Sequence, residues 1–145
     1  AAFQPPKRRL ERINPSSPIA LFDDFAHHPT AVRETLRSLQ APETKGSLIA
    51  ILEPRSNTMK RGVHRVELAQ ALSIADTAII RRRSDLDWDP AELTQFTDGA
   101  KITVCDSIAE IVDTVCDMAK PGDRVVMMSN GSFDGLGDLL DARLD

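Results

Sequence analysis

Compact apolar runs alternate along this chain with stretches whose apolar positions recur every three or four residues. Ile19 to Phe22, Leu48 to Leu52, Thr77 to Ile80, Lys101 to Cys105 and Arg124 to Met128 are runs of the first kind. Their shortness and β-branched content predict strands. Helical spacing links Val32, Leu36 and Leu39, then Val63, Val66, Ala69 and Leu72 across 63–72, then Phe133, Leu136 and Leu140 near the end. The clearest helix carries Ile108, Ile111, Val112, Val115 and Ala119. Ser107-Ile108-Ala109-Glu110 reads as its capping box and Pro121-Gly122 as its stop. Asp89-Pro90-Ala91-Glu92 reads the same way and opens a short helix. Arg8 to Ile13 reads as a first strand, with the Pro/Ser-rich turn Asn14-Pro15-Ser16-Ser17-Pro18 behind it.

Strands separated by helical patterns of roughly 10–15 residues imply βαβ units and a mostly parallel sheet. Only a turn separates the first two strands, which makes one pair antiparallel. The expected fold is α/β: a Rossmann-like three-layer domain of about six strands, mostly parallel with one antiparallel strand, and helices on both faces. Residues 1–145 are expected to form one such domain, and the start Ala1-Ala2-Phe3-Gln4-Pro5-Pro6 resembles an excised boundary.

Composition narrows the picture. With 41% apolar and 28% charged residues the chain reads as globular. It has no Tyr, one Trp and five Phe, so its core must be aliphatic, as suits strands buried on both faces. A net charge of −4 argues against nucleic acid as the main partner. The basic runs Lys7-Arg8-Arg9 and Arg81-Arg82-Arg83 lack interleaved aromatics and read as solvated faces, Arg9 excepted. Cys105 and Cys116 lack metal-ligand spacing and are expected to be buried and reduced. No run of about 18 apolar residues occurs. A cytoplasmic protein without membrane contact is expected.

Chemistry concentrates in the loops that follow strands. Asp23-Asp24-Phe25-Ala26-His27-His28-Pro29-Thr30 puts carboxylates and imidazoles where open α/β sheets bind ligands. Asp24 suits a ribose diol, or equally a helix cap. His27 and His28 can orient or deprotonate an amine, or be an exposed loop pair. Adjacent histidines do not chelate one ion well, so no metal site is expected, and His64 reads as surface or cap. Arg55, Ser56 and Asn57 suit a carboxylate or zwitterion, with a plain polar loop as the alternative. Asn130-Gly131-Ser132 at a helix start favours an anion, though an N-cap reads alike. There is no G-x-x-x-x-G-K-[ST] loop and no G-x-G-x-x-G after a strand, so a triphosphate has no ordinary cradle here.

These motifs together carry a resemblance. Asp23 to Thr30 resembles the "DDY-G/A-HHP-T" turn of the Mur ligases, and Arg8-Arg9-Leu10-Glu11 resembles the "RR-F" strand opening their carboxy-terminal domain. Glu53 to Lys60 departs from the "PHRYTRT" of the L-alanine-adding members. It and Met128 to Leu136 are instead similar to the members that recycle muropeptides. The resemblance implies the third domain of an enzyme whose preceding domains bind the UDP-sugar and carry the phosphate loop and Mg²⁺ ligands. Such enzymes use ATP to activate the carboxylate of UDP-N-acetylmuramate as an acyl phosphate, which the incoming amine attacks. The substrate implied here is L-Ala-γ-D-Glu-meso-diaminopimelate. By the same resemblance Asp24 and Arg9 face the nucleotide, and His27 and His28 face the amine. Arg55, Ser56, Asn57, Asn130 and Ser132 then become specificity residues for the tripeptide, and the isolated domain is expected to be inactive. The L-alanine-adding ligase and a non-catalytic Rossmann-like binding module are the alternatives.

Overall fold

In a computed structural model that describes residues 10–40 and 46–144, the apolar runs form one six-stranded sheet. The strands are β1 (Glu11–Arg12), β2 (Ala20–Asp24), β3 (Leu48–Leu52), β4 (Thr77–Arg81), β5 (Lys101–Cys105) and β6 (Arg124–Met128). Their order is β1-β2-β6-β3-β4-β5; β1 runs antiparallel to β2 and every other pair is parallel. The expected α/β architecture therefore holds. The opening strand is shorter than expected, and Arg8 and Arg9 lie outside the described residues.

The helices are α1 (Pro29–Leu39), α2 (Asn57–Lys60), α3 (Arg65–Leu72), α4 (Ile108–Met118) and α5 (Leu136–Arg143), with a 3₁₀ helix at Pro90–Gln95. Alternation along the central strands sorts the core into two layers. Ala50, Leu52, Ala78, Ile80, Val126 and Met128 point to the layer that holds α1 and α3. Ile49, Ile51, Ile79, Val125 and Met127 point to the layer that holds α4 and α5. All five residues of β3 are buried, as a strand covered on both faces requires.

Helix ends follow their local chemistry. Ser107 Oγ accepts the Glu110 N–H at 3.1 Å, while Glu110 returns to the N–H of Asp106, one residue ahead of the cap. α1 opens on Pro29 and buries Val32, Leu36 and Leu39, as its spacing predicts. The α3 pattern is corrected: Val63 and Val66 are exposed, and Leu68, Ala69, Ala71 and Leu72 are buried. The helix begins only at Arg65, and wedged between sheet and α1 it buries two adjacent rows of small and branched side chains. Cys116 is half-buried rather than buried, and both thiols are free. Burial pushes the Cys105 thiol up, which leaves it unreactive. No described helix is long and apolar enough to cross a membrane.

Candidate functional site

Register decides where the loops meet. Asp24 of β2 and Leu52 of β3 both pair with Met128 of β6, so the chain leaves these three strands at one level. After β3 it turns to the α1/α3 layer and after β6 to the α4/α5 layer. A crevice at such a switch point is where parallel sheets bind ligands.

Glu53, the first residue beyond β3, forms the floor of that crevice. Its carboxylate is wholly buried, with Oε1 accepting Ser129 Oγ–H at 2.8 Å and Oε2 accepting Arg81 Nη1–H at 2.6 Å and Arg83 Nη1–H at 3.3 Å. Ser129 Oγ in turn accepts the Gly131 N–H at 3.0 Å. Arg81 Nη1 also lies 2.5 Å from Asp134 Oδ2. Burial works against the Arg81 charge, but its hydrogen bonds to Asp134 and Glu53 outweigh that and raise its pKa. The hydrogen bond from Arg81 holds the Asp134 carboxyl below the ordinary carboxylate range. The Arg81–Arg83 run is thus no solvated face. Arg81 and Arg83 turn in toward Glu53, and Arg82 pairs with Asp106 at 2.9 Å. Glu53 and these arginines are the residues that sequence reasoning missed. A glutamate at the end of a wholly apolar strand was the available signal.

Arg55 lies across Gly131: a Cβ there would stand 2.2 Å from Arg55 Nη1. Among the described residues its ion-pair partner is Glu53, at 3.7 Å from Oε1 and beyond hydrogen-bond reach, so the N–H donors of the fork stay available there. Asn130 Oδ1 is buried without a partner among the described residues. Ser56 is occupied as the N-cap of α2, accepting the Met59 N–H at 3.3 Å, and Asn57 is exposed in the first turn. The 53–62 segment, expected as a loop, therefore contains a helical turn. It is pinned by Trp88 Nε1–H donating to Met59 O at 2.7 Å and by Lys60 against Asp85 at 2.8 Å. Ser132 stands apart and lines a separate hollow with Ile13, Asp23 and Asp138. The Asn130–Ser132 loop does not open an α-helix directly. A 3₁₀ turn at Phe133–Gly135 intervenes and α5 is capped by left-handed Gly135, so no row of helix N–H groups faces the loop.

The second feature is a cleft of about 430 Å³ between β2 and α1, lined by Leu10, Asp24, Phe25, Ala26, His27 and Thr35 among others. Asp24 is buried and caps nothing. Its Oδ1 accepts the Leu10 N–H at 2.8 Å and its Oδ2 accepts the Thr35 hydroxyl, which ties β1 and α1 to β2. Each oxygen keeps acceptor capacity toward the cleft. His27 Nδ1 lies 3.1 Å from Phe25 O, a hydrogen bond that leaves Nε2 as the acceptor of the neutral ring. His28 diverges from it. It caps α1 over a long 3.5 Å contact from the Thr30 N–H, and its ring meets that of His64 edge-on at 4.8 Å. His64 occupies the N-cap position of α3 without a side-chain cap bond. Among the described residues no group of three or more metal-binding side chains exists.

Comparison with known proteins adds a family. The model of the Mur ligase glutamate ligase domain matches residues 8–131. The UDP-N-acetylmuramate–L-alanyl-gamma-D-glutamyl-meso-2,6-diaminoheptandioate ligase of Haemophilus influenzae is 39% identical over 137 residues, covering 93% of this chain and 30% of that protein. The crystal structure of a murein peptide ligase from Psychrobacter arcticus superposes with a TM-score of 0.81 at 39% identity, over 95% of this chain and 30% of that one. A domain from a putative ligase of the same specificity, from Haemophilus ducreyi, superposes with a TM-score of 0.76 at 32% identity, over 94% of this chain and 100% of that one. UDP-N-acetylmuramate–L-alanine ligases stand further off, at 29% identity for that of Streptomyces avermitilis. The chain spans less than a third of the length of the curated relatives it matches.

Proposed function

The chain belongs to the Mur ligases, as their carboxy-terminal domain, and on that premise we propose that it serves an ATP-dependent ligase joining UDP-N-acetylmuramate to L-Ala-γ-D-Glu-meso-diaminopimelate. Residues 1–145 act as one domain of that enzyme, in the cytoplasmic recycling of cell-wall peptides. ATP supplies the activation of the sugar carboxylate as an acyl phosphate. The residues of this chain do not suit a triphosphate or Mg²⁺, for they include no phosphate loop and, among those described, no cluster of metal ligands. The phosphates and the ion are left to the rest of the protein.

What this chain supplies is reception and positioning. The free acceptor capacity of Asp24 suits the two hydroxyls of a ribose, with Arg9 on the same side by resemblance. His27 Nε2 faces the amine, either orienting it or taking its proton. His28 supports the turn by capping α1. Arg55, with Asn57 and the unpartnered Asn130 Oδ1, receives the charged ends of the peptide, and Ser56 holds that loop in shape. Ser132 completes the connection on its far side. The observation that carries the tripeptide reading is the Arg55 fork lying over Gly131, with no hydrogen-bonded acid among the described residues, in the same loop as Asn130, whose buried oxygen has no partner among them. Closing this domain over the remainder would bring amine and acyl phosphate into range and exclude water.

The test is ligation by the complete enzyme, supplied with ATP and UDP-N-acetylmuramate and offered either the tripeptide or L-alanine. Consumption of the tripeptide alone is the expected result. Consumption of L-alanine alone would transfer the assignment to the L-alanine-adding ligases, and consumption of neither would leave a binding module. Replacing 55–60 by the L-alanine-adding version should cut tripeptide ligation far more than L-alanine ligation. Equal loss would remove the loop from specificity.

A further inference from the structure

The Arg55 fork shares a cleft of about 380 Å³ with arginines that the proposed function does not use. The cleft is lined by Arg55, Arg81, Arg82, Arg83, Asp106 and Asp134, with Ser84 at its edge. Four guanidiniums in one cleft are an uncommon concentration of cation for a chain of net charge −4. Arg82 is engaged on the rim by Asp106 at 2.9 Å and Asp89 at 3.6 Å. The other three are held differently. Glu53 lies beneath them, and it aligns Arg81 at 2.6 Å and Arg83 at 3.3 Å by their Nη1 atoms alone. A guanidinium carries five N–H donors, so Arg81 and Arg83 both keep unused ones. Arg83 also donates Nε–H to Asp85 at 3.1 Å, so its Nη2 stays open; forks held in this way and still carrying unused donors are pre-organised for an incoming carboxylate.

Besides Asp106 on the rim, the carboxylate of Asp134 already occupies this cleft. Asp134 Oδ2 sits 2.5 Å from Arg81 Nη1, yet its side chain remains more than half exposed. Its backbone is left-handed, at φ 49° and ψ 39°, within the 3₁₀ turn that leads into α5. Aspartate visits that region more readily than most residues, but Phe133 beside it also has positive φ, which strains a bulky side chain. Such strain persists where surrounding contacts compensate for it. Here the Arg81 contact is the visible compensation. An exposed acid on a strained turn, placed on a half-buried arginine, is arranged as a replaceable partner.

We propose that Arg81 and Arg83 form, with Arg55, a carboxylate-binding subsite for the peptide substrate, and that Asp134 is its internal occupant, displaced when a ligand carboxylate enters. The proposal rests on the reading that this domain receives a peptide bearing free carboxylates. It adds residues from β4 and from the β6–α5 connection to the reception of that peptide. It also makes the carboxylate of this chain a competitor of the substrate. Removing the competitor should therefore strengthen binding, an outcome that a merely structural ion pair would not produce.

The experiment is a titration of this 145-residue chain at constant ionic strength, followed by NMR at the arginine Nε–Hε signals. The related single domain from Haemophilus ducreyi supports the use of the domain alone. The probes are glutarate and its dimethyl ester. Glutarate is expected to move the Arg81 and Arg83 signals and the ester to leave them still. Asp134→Asn, which the left-handed backbone tolerates, should tighten glutarate at least threefold, and Arg83→Gln should weaken it at least fivefold. Still signals at Arg81 and Arg83, or an Asp134→Asn affinity equal to or weaker than the starting one, overturn the proposal. The ligation assay on the complete enzyme judges the tripeptide reading separately. Glutarate binding in an enzyme that rejects the tripeptide would keep the subsite and lose that reading, and the reverse result would do the opposite.

Discussion

Glu53 and Asp24 are two buried acids at the ends of parallel strands that flank the same residue of β6, yet they build opposite surroundings. Glu53 collects two guanidinium hydrogen bonds and a hydroxyl, and a third guanidinium lies just outside its reach. Among the described residues Asp24 collects one backbone N–H and one hydroxyl. The first acid organises charge: it stiffens a cationic crevice whose outer faces remain open. The second organises backbone, tying β1 and α1 to β2 beside an open cleft in which His27 makes one hydrogen bond. A buried carboxylate is thus not one kind of device. Its partners decide whether it prepares a site for anions or only shapes a wall.

The sharpest way to break this contrast is to remove each acid. Glu53→Ala leaves Arg81, Arg83 and Ser129 without their buried partner and should cost about 3–5 kcal/mol of folding stability. Among the described residues Asp24→Ala loses neutral-donor bonds alone and should cost about 1–3 kcal/mol. Urea denaturation of the two variants checks the difference, and equal losses would erase the distinction. On the Asp24 side the effect should appear in turnover. His27→Ala is expected to slow the complete enzyme roughly a hundredfold while leaving its melting temperature in place. Unchanged turnover would make His27 part of the wall.

A subtler probe acts on the Glu53 side. At Gly131 a methyl group would occupy the space of the Arg55 guanidinium, whose flexible end can move away. Gly131→Ala should therefore raise KM for the tripeptide about tenfold, roughly the worth of one charged hydrogen bond, with KM for ATP unchanged. Parallel rises in both constants would point to a general loss of shape.

The smallest effect concerns pH. The hydrogen bond from Lys60 lowers the Asp85 carboxyl to about 2, with further help from Arg83. A depressed carboxylate contributes its stability above its unfolded value, near 3.9, and loses it as pH falls through the folded one. Between about pH 4 and pH 2 the wild-type chain should lose a contribution that Asp85→Asn never had. Because the pair is solvent-screened, the gap is at most about 0.5 kcal/mol. Melting curves at pH 7 and pH 2.5 measure it. A gap that widens toward acid would reverse the assignment.

Much of this molecule was legible before any coordinates. β3, β5 and β6 run between the residues the apolar pattern names; β3, covered on both faces, is apolar throughout, while β5 at the sheet edge is only partly covered. α1 and α4 follow from amphipathic spacing, with a capping box at the start of α4. For α3 the spacing names Ala69 and Leu72 correctly but Val63 and Val66 wrongly, since a helix of only eight residues shows little amphipathic contrast. For the candidate site, the strand-end loops were visible as places. The divergence of His27 from His28 was not, because one residue along a turn reverses which neighbour a side chain meets. The arginines of β4 were misread because a basic run looks alike whether water or a buried acid faces it.

Taken alone, then, the sequence determined the alternation of strands and helices, the aliphatic core, the α/β class and the family resemblance. These rest on local spacing and on motifs that a few consecutive residues carry whole. Tertiary structure alone decided that β6 inserts between β2 and β3, and that Glu53 comes beside Arg81, 28 residues away. It also decided that the acid on the far connection to meet that arginine would be Asp134, 53 residues further on. Strand order and register set those meetings, and both are settled by burying two faces of one sheet at once. That is a property of the packed chain which no local stretch of residues contains.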